Sequence, residues 1–260
     1  MAVIYLNEEA RMAFEDNSSK PIYRYCSLEN ALTMISKNSF WFSNPIKWPD
    51  PFERLFIDAE YLLNGAKLEF PYKGKLFCMC VTQEINSEAT WNAYSSTQIA
   101  IQFELNTKAF INLLEKQTKY DVFIGKMNYL PTKDIWRNSG PEGFKMSDLF
   151  DSNIDEKEKL KLLLLKRVSF EYENEFRIIL ISKSKTDSTN GVNIKIPKIK
   201  TKFPKSIKEI IPSIKIGPSK NNDFVSALKK ILVELVDSEI SASKLKRTLK
   251  AKVYNVSKVK

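Results

Sequence analysis

The sequence predicts an α+β fold: one domain, with a mixed sheet flanked by helices. Three observations carry this. Segments of strand period and helix period follow one another without a regular strand–helix–strand rhythm. The chain has 260 residues, 43% apolar and 12% aromatic, enough to bury one sizeable core. No internal repeat or low-complexity linker divides it, so residues 1–260 read as a single unit with a basic subregion at 183–260.

Each element has a local reason. Residues 7–16 have the spacing of a short amphipathic helix, and 21–26 read as a strand. Ser27 is an N-cap for a helix with Leu28, Ala31, Leu32 and Ile35 on one face, closed by Asn38. Residues 39–43 form a second strand, so the chain begins strand, helix, strand, with Arg24 inside the first strand. The loop 44–53 contains three prolines, which forbid regular structure, and its aromatic residues predict packing against the body. Asp50 caps a helix predicted over 52–63, with Pro51 at its first position, and Glu53 in the first turn suits the helix dipole. Capping alone accounts for both acids.

Residues 75–81 read as a strand and 88–94 as a helix, with Trp91 and Tyr94 on one face. A strand over 98–105, a helix over 107–116 and a strand over 120–129 follow. Residues 131–144, with two prolines and two glycines, read as a loop or flap. A helix is predicted over 155–166, acidic early and basic late as the dipole prefers. Beyond the strand 176–181 come a polar turn at 183–191 and strands over 192–196 and 209–216. A helix over 223–236 should bury Phe224, Ala227, Leu228, Ile231, Leu232 and Leu235. Residues 252–256 could close the sheet.

Composition narrows the chemistry. There is no histidine, which removes Ser-His-Asp and Cys-His catalysis and histidine-bound zinc. The cysteines are Cys26, Cys78 and Cys80; Cys78 and Cys80 sit in an apolar strand and read as core thiols. With an acidic start that lacks a signal-peptide pattern, they point to a reducing cytoplasm. No apolar run approaches the ~18 residues of a membrane span. The net charge of +10 is uneven: 183–260 carries 19 basic against 6 acidic residues, and the rest is slightly negative. Such a third could attract nucleic acid, although the lysines form no tight block and have few aromatics among them.

The chemistry-bearing stretch is Glu173-Asn-Glu175-Phe-Arg177, at the mouth of the strand 176–181. At a period of two, Glu173, Glu175 and Arg177 share one face, and Asn174, Phe176, Ile178 and Leu180 the other. The plainer reading is a solvated sheet face with a local ion pair. Arg24 could likewise pair with a buried carboxylate, Trp91 and Tyr94 could be core residues, and Ser43 a turn or cap residue.

Two resemblances cover these residues. Tyr23-Arg-Tyr-Cys-Ser, Trp41-Phe-Ser-Asn-Pro, Asp50-Pro-Phe-Glu53, Trp91-Asn-Ala-Tyr94 and Phe170-Glu-Tyr-Glu-Asn-Glu-Phe-Arg177 resemble a widespread bacterial domain of unknown function. Phe170 stands where that pattern has tryptophan. The resemblance marks Asn44, Asp50, Glu53, Trp91 and Arg177 as supporting residues but implies no reaction. The order Arg24, helix, Ser43, then Glu173-x-Glu175 before a strand is similar to ADP-ribosyltransferases of the arginine–serine–glutamate type. The full Ser-Thr-Ser triplet of that family is missing, and Ser95-Ser96-Thr97 rivals Ser43 for the serine role. This second resemblance implies NAD as the substrate, with a bacterial toxin or phage-defence role and a protein or nucleic-acid acceptor. It implies that Glu175 stabilises an oxocarbenium-like ribose, that Glu173 orients or deprotonates the acceptor, and that Arg24 clamps the pyrophosphate or a ribose. Tyr25 or Tyr94 would stack on nicotinamide, and Arg177 would hold a glutamate in place. That chemistry needs no metal. Two alternatives remain: a Mg²⁺-dependent nuclease or phosphodiesterase with Asp50, Glu53, Glu173 and Glu175 as oxygen ligands, and a non-catalytic recognition module built on the aromatic loop and basic surface.

Overall fold

Every residue of the run Glu175–Ser182 is buried, and both of its edges are paired, so the sheet builds outward from it. Its β-branched and large apolar side chains suit a strand covered on both faces. The computed structural model describes residues 2–85, 87–94, 99–137, 146–184, 190–197, 207–219 and 221–243.

Strand β1 (Ile4–Tyr5) leads into helix α1 (Glu8–Arg11), which the Asn7 side chain caps and a π turn over Met12–Asp16 extends. Strand β2 (Ile22–Ser27), helix α2 (Leu28–Lys37) and strand β3 (Ser39–Ser43) form the expected opening unit. The Ser27 hydroxyl accepts from Asn30 N, and Asn38 ends α2 in the left-handed region at φ 48. Asn38 Nδ2 also donates to the Ile196 carbonyl at 3.0 Å, tying the helix end to the chain beyond β3's partner strand. Asn38→Ala loses this bond and adds left-handed strain, so it should cost about 1–3 kcal/mol in urea unfolding; Asn38→Gly should cost less.

Helix α3 (Pro51–Asp58) starts under the predicted Asp50 cap but stops well short of residue 63. A hairpin of β4 (Tyr61–Leu63) and β5 (Ala66–Leu68) follows, turning on Asn64 and Gly65 at φ 51 and 82. The Asn-Gly pair is a strong hairpin signal and overrides the apolar run that reads as helix. Strand β6 (Leu76–Thr82), helix α4 (Glu88–Ala93), strand β7 (Ala100–Leu105) and helix α5 (Thr107–Glu115) lie close to expectation. The strand expected over 120–129 is two, β8 (Tyr120–Lys126) and β9 (Asn128–Leu130), because the two halves join different sheets. Helix α6 (Thr132–Arg137) begins where a loop or flap was expected; the remainder of that stretch, 138–144, lies outside the described residues.

Helix α7 (Glu156–Leu160) is only the first part of the helix expected over 155–166. A 3-10 turn at Lys161–Leu164 and strand β10 (Leu165–Arg167) replace the rest. Leu162, Leu163, Leu164 and Leu165 are all buried, which the one apolar stripe of a surface helix cannot achieve. After a 3-10 turn at Val168–Glu173 comes β11 (Glu175–Ser182). Strands β12 (Gly191–Lys195) and β13 (Ser213–Ile216), helix α8 (Asn222–Leu235) and strand β14 (Glu239–Ala242) complete the described chain. Residues 209–212 are not part of β13, and the closing strand expected at 252–256 lies outside the described residues.

Of the six residues expected on the inner face of α8, only Leu228 and Leu232 are buried; Phe224, Ala227, Ile231 and Leu235 are exposed. The helix packs beside β14 at the sheet edge, and that seat covers a single narrow stripe.

The main sheet has ten strands, ordered β1-β8-β11-β6-β2-β7-β13-β14, with β3 and β12 branching from β6. Pairings β1/β8 and β13/β14 are parallel, and the others are antiparallel, so the sheet is mixed and the fold is α+β. One core packs Phe176, Ile178 and Leu180 against residues such as Phe14, Phe77 and Phe103. The other packs Ile179 and Ile181 with Phe56, Phe123 and Leu162–Leu165. No helix among the described residues is long and apolar enough to cross a membrane.

Candidate functional site

The sheet forks at β6. One edge of β6 runs along β11. On the other edge β2 meets it only at Tyr23–Thr82 and β3 only at Ser43–Cys78. Cys80 lies between these contacts. The fork exposes two backbone carbonyls that strand pairing would otherwise use, and side chains take them up. Arg24 Nη1 donates to the Cys80 carbonyl at 3.1 Å, and the Ser43 hydroxyl donates to the Cys78 carbonyl at 3.4 Å. A cleft of about 550 Å³ opens here, within the size range of small-molecule and cofactor sites.

The cleft gathers most of the sequence-predicted residues: Arg24, Tyr25, Ser43, Asp50, Glu53, Tyr94, Glu173 and Glu175 all line it. Among the described residues Arg24 forms no ion pair with a carboxylate, and its side-chain bond to the Cys80 carbonyl uses one of its five donors. This answers the possibility of a buried ion pair at Arg24. Ser43 also accepts from Trp48 Nε1 at 2.8 Å, so its hydroxyl holds the aromatic loop. Asn44 caps the following 3-10 turn through Ile46 N. The Tyr25 ring is buried, edge-on to Trp91 at 4.8 Å, and Trp91 is buried beneath it. The Tyr94 ring is half-buried and stacks against Tyr25, with centroids 6.2 Å apart and planes 25° apart. Ser95, Ser96 and Thr97 lie outside the described residues.

One wall of the cleft is a buried charge cluster. Lys166 Nζ lies 3.0 Å from Glu53, 2.6 Å from Glu173 and 2.6 Å from Glu175. Arg177 Nη2 lies 3.1 Å from Glu53 and 3.2 Å from Glu175, and its Nη1 donates to the Leu163 carbonyl. The Arg177 guanidinium stacks on Trp48 at 4.3 Å, which explains the aromatic weight of the proline loop. The solvated-face reading is therefore corrected: Glu173, Glu175 and Arg177 are 8%, 2% and 2% exposed. So is the assignment of Glu53 to capping alone. Asp50 both caps α3 and pairs with Arg167 at 3.1 Å.

Lys166 is the residue that sequence reasoning misses, because it was placed in the last turn of a helix. It sits instead on β10, buried at the point where three carboxylates converge. Its signal was the preceding run of four leucines, too apolar for an amphipathic helix, which carries the next side chain into the interior.

Strict alternation also fails between the two glutamates. Glu173 ends a 3-10 turn, and Asn174 is left-handed at φ 44, which swings both carboxylates to the same ammonium. Asn174 is clamped: Oδ1 accepts from Lys126 Nζ, Nδ2 donates to Glu84, and its carbonyl accepts from Thr82. The Glu175 amide donates to the Tyr129 hydroxyl at 2.8 Å.

Charge counting separates the two carboxylates. Among the described residues, Glu53, Glu173 and Glu175 form ion pairs with Lys166 and Arg177, three carboxylates against two cations, so one carboxylate is in excess. Burial raises Glu173 from its usual 4.5 to about 7; Lys166 opposes this, and Glu175 beside it adds to it. Burial would raise Glu175 as well, but Arg177 and Lys166 outweigh it and hold Glu175 down at about 2. Lys166 is held firmly protonated: burial opposes its charge, but the surrounding carboxylates win, Glu175 first. Burial pushes the Cys80 thiol well above its usual range, so it is no thiolate nucleophile. The pair thus offers one carboxylate held low by its cations and one raised toward neutrality by burial, a division of roles that acid–base chemistry uses.

The chain matches no protein-family model and no curated protein.

Proposed function

We propose that the cleft binds NAD, cleaves its nicotinamide–ribose bond and transfers ADP-ribose to a protein or nucleic-acid acceptor. One observation carries this reading: a single cleft at a sheet fork sets Arg24 with two adjacent glutamates of opposite protonation behaviour. Arg24 supplies charge-assisted donors to the pyrophosphate. Tyr94 stacks on nicotinamide. As the bond to nicotinamide breaks, positive charge builds on the ribose, and ionised Glu175, locked by Lys166 and Arg177, stabilises it without reorganising. Glu173 takes the acceptor's proton.

The Mg²⁺ alternative is less well supported. The point where Glu53, Glu173 and Glu175 converge is occupied by Lys166 Nζ, and Asp50 is paired with Arg167. A divalent ion there would have to displace an ammonium from three short contacts.

The test is to incubate the protein with NAD and EDTA, with and without cell lysate, and follow nicotinamide release and ADP-ribose transfer. Release in EDTA, with label on a lysate acceptor, is the expected result; no release under any condition overturns the proposal. Turnover should also rise with pH through about 7, as Glu173 loses its proton, and Glu173→Gln should abolish that limb. Stability has the opposite slope in this window. Between 4.5 and about 7 the folded chain holds a proton on Glu173 that the unfolded chain has released. Raising pH through that range therefore weakens this group's contribution to folding.

A further inference from the structure

A second, far smaller cavity, about 10 Å³, adjoins the cleft. The two share Tyr25, Cys80, Tyr94, Glu173 and Glu175, so the glutamate pair is a common wall. A polar space of ~10–15 Å³ holds one water. Thr90 is another wall of the small cavity. Ser87 caps α4 through Thr90 N, which turns Thr90 and Trp91 inward, and Thr90 is 1% exposed. Its hydroxyl is buried without a hydrogen-bond partner among the described residues. Leaving such a group unsatisfied costs about 1–3 kcal/mol. Tyr23, Tyr25, Tyr94, Thr82 and Cys80 line it too, but its charged walls are the two carboxylates, the strongest acceptors for a water. Glu173 is the one less committed to cations, pairing with Lys166 where Glu175 pairs with both Lys166 and Arg177.

We propose that this cavity is a binding site for a single water, held between the Thr90 hydroxyl and the Glu173 carboxylate, and that this water is the cleft's default acceptor, so that the protein hydrolyses NAD when no macromolecular acceptor is engaged. The inference rests on the NAD-cleaving reading above and names a second acceptor for it. In the step, the water oxygen forms a bond to the ribose C1′ while the C1′–nicotinamide bond breaks. The bonding pair leaves with nicotinamide and neutralises its pyridinium nitrogen. The water's proton passes to Glu173, and the products are free ADP-ribose and nicotinamide. No oxidant, reductant or further reactant is needed.

Thr90→Val keeps the side-chain shape and removes the hydroxyl. It should lower acceptor-free nicotinamide release at least ~10-fold, while NAD affinity and lysate-dependent transfer stay as in the wild type. Thr90→Ser should restore release. Folding should not suffer, since the lost hydroxyl has no partner among the described residues. A high-resolution crystal structure should show a water bridging Thr90 and Glu173 in the wild type and none in Thr90→Val. Unchanged release in Thr90→Val, or no water in the wild-type crystal, overturns the inference and leaves NAD cleavage standing. A wild type that holds the water yet releases no nicotinamide overturns the NAD reading, and default hydrolysis with it.

Discussion

Glu175→Gln should lower nicotinamide release by about 100- to 1,000-fold with NAD affinity little changed, the loss typical of removing one preorganised stabiliser of transition-state charge. Glutamine keeps the shape and can still accept from Lys166 and Arg177, so the cleft should keep its form. What disappears is the carboxylate that Arg177 and Lys166 hold down at about 2. The charge count makes the variant more informative. With Glu175 neutral, Glu53 and an ionised Glu173 balance Lys166 and Arg177. The proton on Glu173 is then less favoured, and its pKa should fall below about 7, with burial still holding it above the usual 4.5. The rising limb of the residual turnover should move to lower pH. Turnover measured from pH 5 to 9, with NAD binding by calorimetry, checks both parts. Full activity in Glu175→Gln would sink the assignment.

Lys166→Met should destabilise the fold by about 3–5 kcal/mol, the usual cost of removing one partner from a buried charge network. Methionine fills a similar volume, so the loss is electrostatic more than steric. Three carboxylates would then face Arg177 alone, and at neutral pH at least one must take up a proton. Glu173, already raised to about 7 with Lys166 opposing the rise, should move further above its unfolded value once that ammonium is gone. The sign follows: the folded variant binds more protons than the unfolded chain, so its stability falls as pH rises and recovers toward pH 5. Urea unfolding at pH 5 and pH 8 should show a larger deficit at pH 8. Adding Glu173→Gln should return part of the lost stability by removing one of the stranded charges. A pH-independent deficit with no recovery in the double variant would mean that Lys166 acts through packing.

How much of this was legible can be judged residue by residue. The opening unit was readable because its signals are local: Ser27 and Asn38 cap α2, and the short apolar runs on either side have strand period. The strand at Glu175–Ser182 was readable over 176–181 from its apolar density, and the residues at its mouth named the two glutamates and Arg177. The hairpin at Asn64-Gly65 was missed though equally local, because the apolar residues before it were counted as helix. The inner face of α8 was overcounted because a helix pattern shows which side is apolar but not how wide a seat the fold provides.

By itself, then, the amino-acid order determined the α+β class, most elements and which side chains could do chemistry: a histidine-free set in which arginine, serine and paired glutamates recur in a fixed order. Only the tertiary structure decided what those side chains are. Arg24, Glu53, Lys166 and Glu173 are far apart along the chain and share a cleft because β6 pairs with two diverging strands. Whether a glutamate is a solvated surface charge or a buried acid titrating near 7 depends on how much water surrounds it and how many cations lie within a few ångströms. Both are properties of folded space, and neither is written in sequence spacing.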